Sequence, residues 1–255
     1  MKSLLQEEVR KSRMPARLDL LQSLSGLVLG LFMWVHLILV SSILLGKGAM
    51  NAVARFMELS FLREDGSGGY PFIPWVIAFG IFLVFIFHAG LAMRKFPSTW
   101  KQNRVFLSHM QMMRHPDTSL WYVQVVTGFI MFFLGSVHLY VIMTNAGSID
   151  PYASADRFVT DWMWPLFLIL LFAVELHAAI GMYRLAIKWG ILDGEDPRVA
   201  RKKFKKIKNI TSAFFLTLGI LSWIAYVYIG IQHRAHAGER YISSTAVEYS
   251  FVARG

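Results

Sequence analysis

The chain has 255 residues, of which 55% are hydrophobic and 16% charged, with a formal net charge of +10. Soluble domains hold about a quarter charged residues, so this composition, with a mean hydropathy of +0.47, excludes an ordinary water-soluble globule and indicates a polytopic helical membrane protein. The lack of cysteine removes disulfides, thiolate metal sites, iron–sulfur ligation and thioether-linked haem, leaving imidazole, carboxylate and thioether as metal donors.

Residues 1–19 are charged and polar, and no short apolar core with a small-residue cleavage site follows them. The first apolar run therefore reads as a retained spanning helix rather than a signal peptide. Five runs are long enough to cross a hydrocarbon core of about 30 Å, at 20–45, 71–93, 120–143, 162–183 and 210–231, forming one all-α membrane domain. The segment 49–62 (AMNAVARFMELSFL) is too short to span and is broken by Arg55 and Glu58, so it predicts an amphipathic helix along the outer surface. The gaps 94–117, 145–161 and 184–208 collect charges and breakers, and several tryptophans (Trp75, Trp100, Trp121, Trp162, Trp164, Trp189) mark segment ends as an interfacial belt. Alternate compartments hold 19 lysines and arginines against 7, which puts the N-terminus in the cytoplasm and the C-terminus in the periplasm. The basic run 198–208 (RVARKKFKKIK) suits an anionic lipid or a cytoplasmic partner, and topology alone explains it equally. A loop pinned to a membrane is no credible site for nucleic acid.

Four histidines, His36, His88, His138 and His177, each lie in a different spanning run. An ionisable residue in a bilayer is costly, and its presence is by default a functional signal. At 1.5 Å per residue, His88 and His177 sit roughly 9–10 Å from the cytoplasmic edge and His36 and His138 roughly 28–32 Å. The expected pairs are therefore His88 with His177 and His36 with His138, on levels about 20 Å apart before helix tilt. Two imidazoles facing each other across a bundle core fit a low-spin haem b with both axial positions filled, which moves electrons and leaves no site for oxygen. The fold expected is a five-helix bundle enclosing two haems b. Hydrogen-bonded structural histidines and a proton relay remain alternatives; a nonhaem metal is disfavoured by only two donors per level. The other histidines, His109, His115, His233 and His236, read as surface residues, with His115 beside Arg114 best placed to reach a haem propionate. Glycines in the ligand helices permit close approach of backbone or macrocycle.

The blocks GLVLGLFMWVH (26–36), HAGLAMRKFP (88–97), TGFIMFFLGSVHLY (127–140) and LFAVELHAAIGMYRLAIKWG (171–190) closely resemble the dihaem cytochrome b subunit of epsilonproteobacterial-type quinol:fumarate reductase. The resemblance covers nearly the whole membrane region and leaves the tails divergent. It implies a subunit of the bacterial inner membrane joined to a flavoprotein with FAD and the fumarate site and to an iron–sulfur subunit, and it admits a dimer of heterotrimers. The inner haem would be held by His88 and His177 and the outer one by His36 and His138. Menaquinol would be oxidised near the outer haem, with Glu58 accepting protons, although RFMEL here interposes Met57 in the family's KFEL. Glu175, two residues before His177, would relay protons; two helical steps of about 100° point it away from the inner haem. Gln22, Ser23, Trp121 and Lys188 would surround the inner haem's propionates.

Other readings share some of these features. The same complex run in reverse would be a succinate:menaquinone reductase. A cytochrome b anchor of a hydrogenase or formate dehydrogenase also carries bundle histidines, and a haem-free proton channel or transporter would use the histidines with Glu175. No GxGxxG fingerprint between a strand and a helix is present, so no flavin or dinucleotide site is expected on this chain.

Overall fold

The computed structural model describes residues 13–63, 69–97, 99–113, 116–191 and 196–242. His115 lies outside the described residues. Among them the regular structure is helical, in eight α-helices: α1 (Met14–Val40), α2 (Lys47–Met57), α3 (Phe72–Met93), α4 (Trp100–Met113), α5 (Pro116–Thr144), α6 (Pro151–Val159), α7 (Trp164–Lys188) and α8 (Pro197–His233). Five are long and apolar enough to cross a membrane: α1 with its 3-10 extension to Leu45, α3, α5, α7 and α8.

Four of these five close into a ring, in which α1 packs on α3, α3 on α5, α5 on α7 and α7 back on α1. α8 stands outside it against α7 and α1. A helix apolar on every side is expected where one face meets its neighbours and the other meets lipid. On α1 the outward stripe is Leu24, Val28, Leu31, Val35 and Ile38, each at least 43% exposed, at the three- and four-residue steps of one helical face. Its buried positions are Ser25, Gly30 and Met33. Small residues on such a face let backbones approach where hydrophobicity itself drives no association.

The short helices are held by specific contacts rather than apolar length. The expected amphipathic segment 49–62 is covered by α2, which buries Met50 and Ala54, and a 3-10 turn at Ser60–Leu62. The gap 94–117, read only as a stretch of charges and breakers, contains α4, whose Phe106 ring packs 4.7 Å from Trp121 and 6.5 Å from Tyr122 of α5. α6 starts where the Asp150 carboxylate accepts the N–H groups of Tyr152 and Ala153 at 2.9 and 3.0 Å, with Pro151 in the first turn. α8 starts in the same way: Asp196 accepts the Arg198 N–H at 2.8 Å and Pro197 follows. The helix thus begins well before its apolar run, and the basic segment is helical. Asp117 anchors that extension, bonded by Lys205 at 2.8 Å, approached by Arg201 at 3.5 Å and receiving the Tyr183 hydroxyl at 3.1 Å.

One expectation is overturned at the opposite end of the bundle. His233 is no surface residue: it is 8% exposed, with Nδ1 3.0 Å from Asp156 Oδ1 and its ring stacked 4.0 Å from Tyr152. The cause is α6, which packs along the last turns of α8 and covers a histidine that a helix end alone would leave in water. His236 and His109 are exposed.

The α6–α8 contact depends on Gly230. A Cβ there would stand 2.6 Å from both the Ala155 carbonyl oxygen and Val159 Cγ2, and a backbone carbonyl does not step aside. Gly230→Ala is expected to cost about 1–3 kcal/mol by overpacking, seen as a lower thermal midpoint of the detergent-solubilised protein; an unchanged midpoint would show that α6 is free to move outward.

Candidate functional site

The closed ring brings the four histidines together two by two. The rings of His36 and His138 lie with centroids 6.2 Å apart and planes at 62°, and those of His88 and His177 lie 6.4 Å apart at 84°. An imidazole nitrogen binds a first-row metal at about 2.0 Å and lies about 1.1 Å from its own ring centroid, so two axial imidazoles on one iron have centroids roughly 6.2 Å apart. Both pairs match that separation. Among the described residues no group of three His, Cys, Asp or Glu side chains is placed to hold a metal ion. Two imidazoles per level leave a bare ion short of donors, whereas a porphyrin brings four nitrogens of its own.

The protonation of the His88–His177 pair follows from its hydrogen bonds. His177 Nδ1 is 2.8 Å from the Gln124 carbonyl oxygen and 3.5 Å from Thr127 Oγ1. A carbonyl only accepts, so Nδ1 carries the proton and Nε2 keeps its lone pair. His88 Nδ1 is 3.0 Å from Ser25 Oγ, and that hydroxyl already donates to the Leu21 carbonyl at 2.8 Å. The serine therefore accepts from His88, which frees Nε2 in the same way. Fixing one ring nitrogen so that the other is free for a metal is the usual work of groups behind a histidine ligand.

Glycine follows each hydroxyl residue for a steric reason. A Cβ on Gly26 would come within 2.9 Å of His88 Cε1, and one on Gly128 within 3.0 Å of His177 Cε1. Each imidazole thus lies against the bare backbone of the neighbouring helix. Ten residues after each glycine comes the other histidine of that helix, His36 on α1 and His138 on α5. At 1.5 Å per residue this sets the two levels about 15 Å apart on both helices, closer than the roughly 20 Å obtained from loop charges. The sequence Gln-x-x-Ser/Thr-Gly followed by histidine ten residues after the glycine occurs twice, at 22–36 and 124–138. This internal repeat is the signal that would have identified Ser25, Gly26, Thr127 and Gly128 directly.

The His36–His138 pair is held by packing instead. Phe32 stacks on His36 at 5.7 Å and Phe167 meets His138 edge-on at 5.6 Å. His138 Nδ1 is buried without a hydrogen-bond partner.

Of the residues expected around the inner propionates, Ser23 and Lys188 meet directly, Nζ to Oγ at 2.9 Å. Gln22, one residue away on α1, has a buried Oε1 without a partner. Trp121 packs against Phe106 of α4. Sequence reasoning missed Asp19, whose carboxylate binds both Lys188 and Lys95. Two cations on one carboxylate leave a net positive charge beside Gln22 and Ser23, which suits the acidic edge of a haem.

Glu175 is fully buried, and its Oε2 accepts the Trp34 indole N–H at 3.2 Å. Trp34 in turn stacks on Phe215 of α8 at 5.5 Å. The carboxyl therefore faces α1 and α8, while His177 on the same helix faces α3 and α5.

Glu58 ends α2 at the opposite end of the bundle. Its carbonyl accepts the Tyr70 N–H at 2.6 Å, and Leu59 after it takes the left-handed conformation, φ 55°. Gly69 lies so close that a Cβ there would fall 2.2 Å from Glu58 Cβ and 2.9 Å from Oε2. Burial pushes the Glu58 carboxyl above the usual carboxylate range; Arg240 and Arg55 act the other way, and Asp150 adds to the rise.

The family described as succinate dehydrogenase/fumarate reductase transmembrane subunit matches residues 101–233. The fumarate reductase cytochrome b subunit of Wolinella succinogenes is 53% identical over 225 residues, 88% of this chain and 87% of that one. Its counterpart in Helicobacter pylori is 47% identical over 226 residues, 89% of this chain and 86% of that one. With five apolar spanning helices, the protein is a multi-pass protein of the bacterial inner membrane. The chain belongs to the succinate dehydrogenase/fumarate reductase transmembrane subunit family, as a fumarate reductase cytochrome b membrane subunit.

Proposed function

We propose that this subunit oxidises menaquinol at the end of the bundle that holds Glu58 and delivers electrons at the basic end to an iron–sulfur subunit, which serves fumarate reduction on a flavoprotein. The observation that carries this reading is the axial separation of both histidine pairs, on levels about 15 Å apart. Two haems b, one between His36 and His138 and one between His88 and His177, would supply the one-electron carriage that no side chain provides. The excess of lysine and arginine beside the His88–His177 level supports a cytoplasmic position for that end. Asp19, Lys95 and the exposed basic face of α8 would then line the side met by the soluble partners.

The chain's own residues divide the work. Ser25 and the Gln124 carbonyl hold two imidazoles in the ligating tautomer, and Gly26 and Gly128 give them room. Lys188, Ser23 and Gln22 would hold the propionates of the inner haem, and Trp121 would support that edge from α5. Glu58 takes a proton from the quinol, a role that a carboxyl at an apolar boundary performs well when its affinity for protons is raised. Glu175, buried beside Trp34, lies to one side of the histidine pairs and so would offer a separate station for protons. The names of the relatives favour fumarate reduction over the reverse reaction. Assay of both activities in the isolated complex checks the direction, since strong succinate oxidation with negligible fumarate reduction would reverse it.

Pyridine haemochrome analysis should give two haems b per chain. Replacing His88 or His177 by alanine should remove one, and replacing His36 or His138 the other. Gly26→Ala and Gly128→Ala should alter only the first, by pushing its imidazole; retention of both haems in all four histidine variants would end the assignment.

Glu58→Gln should lower quinol oxidation by at least ~100-fold, the low end of general-base contributions, while haem content and fumarate reduction from an artificial one-electron donor stay intact. Quinol oxidation at the parental rate would remove Glu58 from the mechanism.

A further inference from the structure

The end of the bundle that carries Glu58 is closed by a charged clasp to which no role has been given. The C-terminal residues after α8 turn back over α6 and the 145–150 turn. Their backbone is pinned by Asp156, whose Oδ2 accepts the Gly238 N–H at 2.9 Å while Oδ1 faces the buried His233. Two residues on, Arg240 pairs through Nε with the Asp150 carboxylate. Its Nη1 donates to the Gly147 carbonyl at 2.9 Å and reaches Ser148 Oγ at 3.4 Å. Asp150 is 4% exposed, so its carboxylate is a fixed part of the fold, and the half-exposed Arg240 is tied to it and to the Gly147 carbonyl.

The clasp reaches Glu58 through contiguous packing. A Cβ on Gly147 would lie 3.6 Å from Pro71. Pro71 follows Tyr70, whose N–H bonds the Glu58 carbonyl, and Gly69 lies against the Glu58 side chain. Among the described residues, the charged and titratable groups around Glu58 are Arg55 on its own helix, Arg63 and Tyr70 between α2 and α3, Asp150 in the turn before α6 and Arg240 in the C-terminal segment. Only the last two come from elements whose position depends on the clasp.

We propose that Arg240 and Asp150 are an opposed positioning pair for Glu58: the C-terminal segment supplies the cation and the turn before α6 the anion that together set the pH at which its carboxylate can take a quinol proton. Arg240 favours the anionic, proton-accepting form of Glu58, and Asp150 favours the protonated form that accepts nothing. Their opposite effects on the Glu58 carboxyl agree with this arrangement. The inference rests on Glu58 being the quinol base and adds the residues that tune it.

The signs give the test, made on the purified complex with its partner subunits and a short-chain naphthoquinol as donor. A base works deprotonated, so activity falls as pH drops through its pKa. Arg240→Gln removes the cation, raises that pKa and should move the acid limb of the kcat profile to higher pH. Asp150→Asn removes the anion and should move it to lower pH, while asparagine keeps the cap on α6. Each displacement should be on the order of half a pH unit, as expected of one charge acting across a partly solvated distance. Arg240→Lys keeps the charge and should restore the parental limb, which also covers the case in which the glutamine variant does not assemble. A purely structural clasp would lower activity at every pH in both variants. Limbs that stay in place, or move in the same direction, would overturn the proposal while Glu58→Gln remained inactive; an active Glu58→Gln would instead bring down the reading of Glu58 itself.

Discussion

Everything in this bundle depends on bringing four imidazoles face to face, two by two, where there is no water to hold them. A buried polar group without a partner costs free energy, and a ligand nitrogen committed to a protein hydrogen bond would be lost to a metal. At the His88–His177 level both demands are met by the neighbouring helix. Its carbonyls and hydroxyls take the Nδ1 protons, and its glycine lets the ring come close enough for this to happen. The ring order α1, α3, α5, α7 follows, because each of these histidines needs a Ser/Thr-Gly face beside it and a second histidine opposite.

The membrane class, the five spanning segments and the pairing of histidines were legible because apolar length and depth are one-dimensional properties. A count of residues from a charged boundary estimates depth, although tails that extend past the apolar run stretched the distance between levels to about 20 Å; counting along a helix from glycine to histidine brings it to about 15 Å. Elements held by polar contacts were less visible. α4 rests on the Phe106–Trp121 contact and the start of α8 on the three side chains that converge on Asp117. Hydropathy carries neither. The Asp-Pro pairs at 150–151 and 196–197 start α6 and α8, a capping side chain followed by a residue that needs no N–H bond, and this local signal was left unused by a reading based on hydropathy. Asp19 and the buried His233 needed the fold itself, since their partners lie 76 to 169 positions away in the chain.

The duplicated Gln-x-x-Ser/Thr-Gly with its histidine gives the ring an internal equivalence: α1 with α3 repeats as α5 with α7. Both levels are built from one helix of each half, yet they are held differently, by hydrogen bonds at His88–His177 and by aromatic packing at His36–His138. The ends differ as well. One carries the Asp19 carboxylate between two lysines and the basic start of α8; the other carries Glu58 under the clasp of Arg240 and Asp150.

The equivalence also explains where a buried acid is tolerated. Two residues before His88 stands Ile86, 40% exposed on the outside of the ring, in the position that Glu175 takes two residues before His177. On α3 that position looks outward from the ring, where a carboxyl in lipid would be costly. On α7 it is covered, because α8 packs against that side and α1 supplies the indole N–H of Trp34. The fifth spanning helix is thus more than an extra crossing. By shielding one half of a near-symmetric ring and leaving the other bare, α8 creates a place where a glutamate is buried next to the ring without lying between its histidines.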